Sequence, residues 1–295
     1  MNSQRPPSID PIAAKRWSRH VPAQSPWLHE EVARRMESRL QWIVLQPSSW
    51  LHWSPLQGGI QVHEMLVRRY PKAHCTVQEN SEANTDRASW QLQLPWWRPA
   101  RWLANGTAFG APTQAVQMLW ANMALHMDAD PQALIQHWHS AIEVDGFLMF
   151  SCLGPDTLRE LRAVYALLGW PPASHDFTDM HDWGDMLVHA GFAEPVMDME
   201  HITLSYSSGE TLLAELRGLG RNLSVSRFAG LRGRNWKRQL SEALEQQLRG
   251  PDGRLSLTFE VVYGHAFKPV PRMPVRAETR VALDDLRQSL RKIKP

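Results

Sequence analysis

Two cysteines among 295 residues are too few for a disulfide framework. Both, Cys75 and Cys152, lie in apolar, strand-like runs, which reads as buried free thiols in a reducing cytoplasm. No apolar run approaches the roughly 20 residues that a bilayer-spanning helix needs, so no membrane partner is expected. The first residues carry Pro6, Pro7, Asp10 and Pro11 and lack the apolar centre of a secretory signal. No Gly-x-Ser-x-Gly elbow follows a strand pattern, which excludes a hydrolase of that kind. The net charge of +2 implies nothing about nucleic acid, and no DNA- or RNA-binding motif accompanies it. Acidic residues are missing altogether from Arg217 to Arg238, while Arg217, Arg221, Arg227, Arg232, Arg234, Lys237 and Arg238 fall there. A nearly neutral chain therefore carries one concentrated basic patch, suited to an acidic partner.

What is present is an alternation of helix and strand patterns. Leu28, Val32, Met36 and Leu40 recur at four-residue spacing and predict an amphipathic helix over 27–42. Strand-like runs follow at 45–53, 73–79, 115–122 and 146–153, with helix patterns at 59–70, from Asp130-Pro131, at 156–168 and at 180–190. Asp130 is a good N-cap and Pro131 suits a first helical turn. Two late β-like runs, 196–206 and 255–267, flank a helical insert at about 209–250. Between Ser81 and Pro112 the pattern dissolves, with at most a short strand near Arg101–Leu103. Strands alternating with helices of this length predict an α/β fold with a largely parallel sheet. Residues 1–26 read as a flexible leader, 27–268 as the domain and 269–295 as a basic tail.

Several segments resemble a known family. They are Asn122-Met-Ala-Leu-His126, Phe150-Ser-Cys-Leu-Gly-Pro-Asp-Thr-Leu-Arg-Glu-Leu-Arg162, Asp179-Met-His-Asp-Trp-Gly-Asp-Met-Leu-Val-His-Ala-Gly-Phe192 and Glu194-Pro-Val-Met-Asp-Met-Glu200. With Leu216–Gly220 and the run 255–267, they are similar to the malonyl-carrier-protein O-methyltransferases of biotin synthesis. The resemblance implies a Rossmann-like class I methyltransferase sheet, mostly parallel with its last strand antiparallel, and a helical lid insert. It also implies S-adenosylmethionine as cofactor, a malonyl thioester on an acyl-carrier protein as substrate and partner, and a cytoplasmic enzyme. Methyl transfer from a sulfonium needs no protein nucleophile, so no catalytic residue is singled out.

Laid on this chain, the family's Asp-x-Gly-x-Gly-x-Gly turn after the first strand falls on His52, Ser54, Leu56 and Gly58. Only Gly58, with Gly59 beside it, retains the glycine chemistry. Glu79 stands where the family places its ribose-binding acid, since a carboxylate can accept two bonds from a diol. Asn122 holds a polar position at a strand's C-terminal end, where open α/β sheets bind ligands. The family's acid before the fourth strand is lost near Gln117, and no tyrosine occurs between His20 and Trp27. Cofactor contact is thus expected at Gly58, Gly59, Glu79 and Asn122. A malonyl carboxylate needs a cation, for which Arg159 and Arg162 are the candidates. Arg227, Arg232, Arg234, Lys237 and Arg238 are the expected carrier-protein docking set. No metal site is expected, because Asp179-Met-His-Asp182 reads as a capped helix start. The departures leave a second reading open: a protein that keeps the fold and the partner surface without binding cofactor.

Overall fold

The apolar runs at 49–53, 116–121 and 142–153 become the middle of a seven-stranded sheet, as continuous hydrophobic strands covered on both faces should. The computed structural model describes residues 8–21, 24–92 and 106–271. Strands β1 (Ser49–Trp53), β2 (His74–Gln78), β3 (Thr107–Phe109), β4 (Val116–Ala121) and β5 (Ile142–Leu153) pair in parallel. β7 (Leu255–Phe267) runs antiparallel to both β5 and β6 (Ala193–Tyr206). The spatial order is β3-β2-β1-β4-β5-β7-β6. The expected sheet, mostly parallel with its last strand reversed, is therefore present.

Alternate residues face opposite layers, as the two-residue period of a strand demands. Trp50, Met118, Trp120, Phe147 and Met149 meet α2 (Trp27–Arg39) and α4 (Val62–Arg69) through Leu28, Val32, Met36 and Leu66. Leu51, Leu119, Leu148 and Phe150 meet α6 (Pro131–Ala141) and α8 (Met180–His189) through Ile135, Trp138, Trp183 and Leu187. Asp130 and Asp179 cap these last two helices, accepting from Ala133 N at 3.2 Å and His181 N at 2.8 Å. α7 (Arg159–Leu167) follows β5. The insert between β6 and β7 holds α9 (Gly209–Leu219) and α10 (Arg234–Leu248).

Three expectations need correction. The leader is structured over 8–21: α1 (Pro11–Ser18) has Asp10 as N-cap, and Ile9, Ala14 and Trp17 pack on Leu223. Second, the stretch in which the pattern dissolves contains α5 (Glu82–Leu92) and β3; α5 buries only Asn84 and Ala88, so it leaves no apolar stripe to read. The strand expected near 101–103 lies outside the described residues, as do 272–295 of the tail. Third, the helix expected over 59–70 is α4 preceded by a separate single turn, α3 (Pro55–Gly58). Among the described residues no helix is long and apolar enough to cross a membrane.

Five histidines, His29, His52, His63, His126 and His175, are buried in this core. Burial holds each of them below the ordinary imidazole range, His29 and His63 at about 4. An unfolded chain protonates them near pH 6.5, whereas the folded chain does not, so stability is lost as pH falls through that window. His29 and His63 each contribute about 2 kcal/mol of destabilisation between pH 6.5 and 5, and the other three act in the same direction. The urea midpoint should therefore fall steeply from pH 7 to pH 5, and less steeply in His63→Phe; a flat profile would mean these rings are solvated.

Candidate active site

The strand order reverses between β1 and β4, which opens a crevice beyond their C-terminal ends. The chain leaves β1 through Ser54, held at φ 47°, and Pro55 starts the single turn α3. That turn consumes its own donors. Ser54 N bonds Gln78 O, Gln57 N and Gly58 N bond Ser54 O, and Gly59 N bonds Pro55 O. Leu56 N donates to Glu79 Oε1 at 2.9 Å, and Pro55 has no N–H to offer. No amide of 54–59 is left for a ligand. His52, in the place of the family's acid, points behind the turn, where its ring stacks on His63 with Nδ1 atoms 3.1 Å apart. One nitrogen donates and the other accepts, consistent with the neutrality that burial imposes on both.

Asn122 braces the turn from below. Its Nδ2 donates to His29 O at 2.9 Å and to Gly58 O, while its Oδ1 accepts from Ser151 Oγ at 2.6 Å. A Cβ at Gly58 would sit 2.5 Å from the Asn122 carbonyl oxygen, so only glycine permits this approach. His29 Nδ1 donates to Gln57 O at 2.6 Å, and Gln57 Nε2 reaches back to Trp17 O and His20 O at 2.9 and 2.6 Å. Gly59, at φ 113°, packs against Glu30, whose Oε1 accepts from Ile60 N at 2.9 Å. Glu79 is 9% exposed, and its Oε2 has no hydrogen-bond partner. Burial pushes its carboxyl up to about 7, against the opposing bond from Leu56 N.

Two cavities meet above this framework. The first is a polar cleft of about 230 Å³, lined among others by Trp17, Trp53, Ser54, Asn80, Asn122 and Asp128. The second, of about 280 Å³, is mainly apolar and lies between β5, α7 and α9, with Leu153, Leu161, Leu213, Leu216, Phe177 and Trp236 in its walls. Met127 and Leu219 belong to both.

Gly58 and Asn122 line the cleft, and Glu79 precedes Asn80, which does. Gly59 does not line it. Arg159 and Arg162 are absent from the walls of both cavities. Arg159 is 56% exposed in its side chain and pairs with Asp156 and Glu160 at 3.4 and 3.3 Å, and Arg162 Nη2 donates to Pro155 O at 2.5 Å. α7 turns both arginines away from the cavity because Leu158, Leu161 and Tyr165 take its inner face. The docking set divides. Arg227 pairs with Asp10 at 2.7 Å and ties α1 to the insert. The Arg232 guanidinium lies over Phe228 and Trp236, each at 4.6 Å, and over Trp170 at 5.4 Å. Arg234, Lys237 and Arg238 stay exposed on α10, a few residues along the chain from the exposed Phe228 and Leu231. Asp156, His201 and buried Glu260 bring their ligand atoms within 4.8 Å of one another, apart from both cavities; Asp156 there is held by Arg159 and His201.

The sequence reading missed Trp17, Gln57, Asn80 and Asp128. Only Trp17 had a signal: Asp10-Pro11 has the same form as the helix start Asp130-Pro131.

No protein-family profile matches the chain. It is 38% identical over 258 residues to the malonyl-[acyl-carrier protein] O-methyltransferase of Gallionella capsiferriformans, covering 83% of this chain and 86% of that protein. The protein of the same name from Laribacter hongkongensis is 39% identical over 255 residues, covering 83% and 84%. Among solved structures, the YcgJ protein of Bacillus subtilis superposes with a TM-score of 0.52 at 11% identity, covering 82% of this chain and 99% of that one. A Bacillus halodurans C-125 protein provisionally described as a methyltransferase gives 0.54 at 13% identity, covering 81% and 100%. The structures share the fold, and the two sequence relatives carry the assignment further: this chain belongs to the malonyl-[acyl-carrier protein] O-methyltransferase family.

Proposed function

We propose that the chain transfers a methyl group from S-adenosylmethionine to the free carboxyl of a malonyl thioester carried on an acyl-carrier protein, in the cytoplasmic route to biotin. The observation that carries this reading is the junction of a polar cleft with an apolar cavity at Met127 and Leu219. A nucleotide-sized polar ligand suits the first and an acyl arm the second, with their reacting ends meeting between them. Proximity and exclusion of water are what such a transfer requires of a protein.

Two buried, unpartnered oxygens beside the cleft, Glu79 Oε2 and Ser54 Oγ, fit the hydroxyls of a ribose. Asp128 lines the same cleft, and its carboxyl, which burial pushes upward, is one that an ammonium group would hold ionised. The turn at 54–59 adds shape without donors: Gly58 allows close approach at the cleft and is held there by Asn122, while Gly59 packs against α2. When bound, S-adenosylmethionine supplies an already activated methyl group. The protein's part is to orient the acceptor carboxylate and keep the junction dry. On the outer face, Arg234, Lys237 and Arg238 with Phe228 and Leu231 make a mixed basic and apolar surface that suits an acidic carrier.

Incubation with S-adenosylmethionine and malonyl-carrier protein should give a base-labile methyl ester, and acetyl-carrier protein should give none. If neither S-adenosylmethionine nor its demethylated product binds up to millimolar concentration, the reading falls in favour of a non-catalytic family member.

Glu79 makes a separate prediction. Its raised pKa means that the free protein is partly protonated at pH 7, whereas hydroxyl donors favour the ionised form. Binding of S-adenosylhomocysteine should therefore release protons near pH 7, and its calorimetric heat should vary with buffer ionisation enthalpy. Glu79→Gln should abolish that variation and weaken binding by about tenfold, the 1.4 kcal/mol of a good polar contact. Heats independent of buffer in the native protein would remove Glu79 from the site.

Reversal of Arg234 and Arg238 to Glu should weaken carrier-protein association and flatten its salt dependence. Unchanged association would reduce α10 to a solvated face.

A further inference from the structure

The reading above leaves the acceptor carboxylate without a partner, because Arg159 and Arg162 face elsewhere. A carboxylate brought to a mostly apolar cavity needs a cation, since a charge left unpaired and desolvated there is strongly unfavourable. The segment 217–222 ends α9 at the place where the two cavities meet. Gly218 and Leu219 line the cleft, and Arg217, Leu219, Gly220, Arg221 and Asn222 line the apolar cavity.

Two guanidinium groups of this segment have no acidic partner among the described residues. Elsewhere in the insert Arg227, Lys237, Arg238 and Arg249 are paired with Asp10, Glu210, Glu242 and Glu245, while the Arg232 guanidinium lies over aromatic rings and Arg234 is exposed on α10, neither of them lining a cavity. Arg221 is nonetheless held in place: its Nη1 donates to Gly220 O at 2.8 Å and to Arg217 O, and its guanidinium carbon lies 5.4 Å from the ring centroid of Trp17. Trp17 lines the polar cleft, so Arg221 spans the boundary between the two cavities. Arg217 and Arg221 are both solvent-exposed at the cavity mouth; the desolvation that Arg221 does undergo, and secondarily the charge of Arg217, lower its pKa. Like charges kept close without a counter-ion are unfavourable, and a ligand anion relieves them.

We infer that Arg221, supported by Arg217, receives the free carboxylate of the acyl substrate at the cavity junction and sets the preference for a dicarboxylic over a monocarboxylic acyl chain. The inference rests on the proposed reading of a malonyl thioester substrate. It also gives product release a cause, because the methyl ester is neutral and no longer pairs with the two arginines.

The test uses malonyl-pantetheine and acetyl-pantetheine, which lack the carrier protein and so do not engage α10, with the full chain and calorimetric binding as readout. The native protein should bind the malonyl compound at least about tenfold more tightly, as a charge-assisted pair implies. Arg221→Gln should bring the two affinities to within about twofold, and Arg221→Lys should restore part of the difference. Arg159→Gln is the competing variant. Binding of S-adenosylhomocysteine and the thermal midpoint of each variant report folding. Equal affinities in the native protein would overturn the malonyl reading and this inference together. A preference that survives Arg221→Gln, or that Arg159→Gln abolishes instead, would overturn the assignment of Arg221 alone.

Discussion

The site depends on one close approach, that of the turn after β1 to the end of β4. Gly58 lies so near the Asn122 backbone that no side chain fits between them, and the Asn122 amide closes the gap with bonds to Gly58, His29 and Ser151. A buried amide with its donors and acceptor satisfied is a rigid joint, whereas one left partly unpaired is a cost. Through this joint the turn, the start of α2 and the neighbouring strand β5 are held as one body. The floor of the cleft is set by it, and Ser54, Trp53 and Asn80 keep their places around that floor.

The turn itself departs from a glycine-rich anion cradle in a way that hydrogen bonding explains. Closing 55–58 into a helical turn satisfies its amides internally, and the remaining one, at Leu56, is taken by Glu79. Leu56 then faces the core rather than the ligand. The change alters which groups can hold a nucleotide: the backbone is withdrawn, and side-chain oxygens at Glu79 and Ser54 are left without partners. The cleft survives the loss of the motif because the strand-order reversal, not the glycines, creates it.

The α/β class, the largely parallel sheet and the helical insert were legible because long apolar strands and capped helices dominate the chain, whereas the reversed last strand was expected only from the family resemblance. Asn122 was legible as a strand-end position and Gly58 through the family's glycine turn, but not as each other's partners, since that depends on distance across the sheet. Arg159 and Arg162 looked suitable by proximity in sequence to β5, and only the packed face of α7 shows that leucines take the cavity side. Arg217 and Arg221 were visible as members of a basic run, yet composition does not distinguish a residue at a cavity mouth from one on an outer helix face. α1 carried the same Asp-Pro start as α6 and was obscured by the prolines around it. β3, three residues long, offers too little alternation to read at all.

α1 touches both sides of the site. Gln57 of the turn holds the carbonyls of Trp17 and His20, while Asp10 and Ser8 hold the insert through Arg227, Leu223 and Val225. The short segment 8–20 is therefore a strap from the floor of the cleft to its roof. If the insert swings outward to admit an acyl arm, it must either break the Asp10–Arg227 pair or draw α1 with it and pull on the turn. Access for one ligand is mechanically linked to the shape of the other's seat, and the order in which the two arrive then becomes a property of the fold.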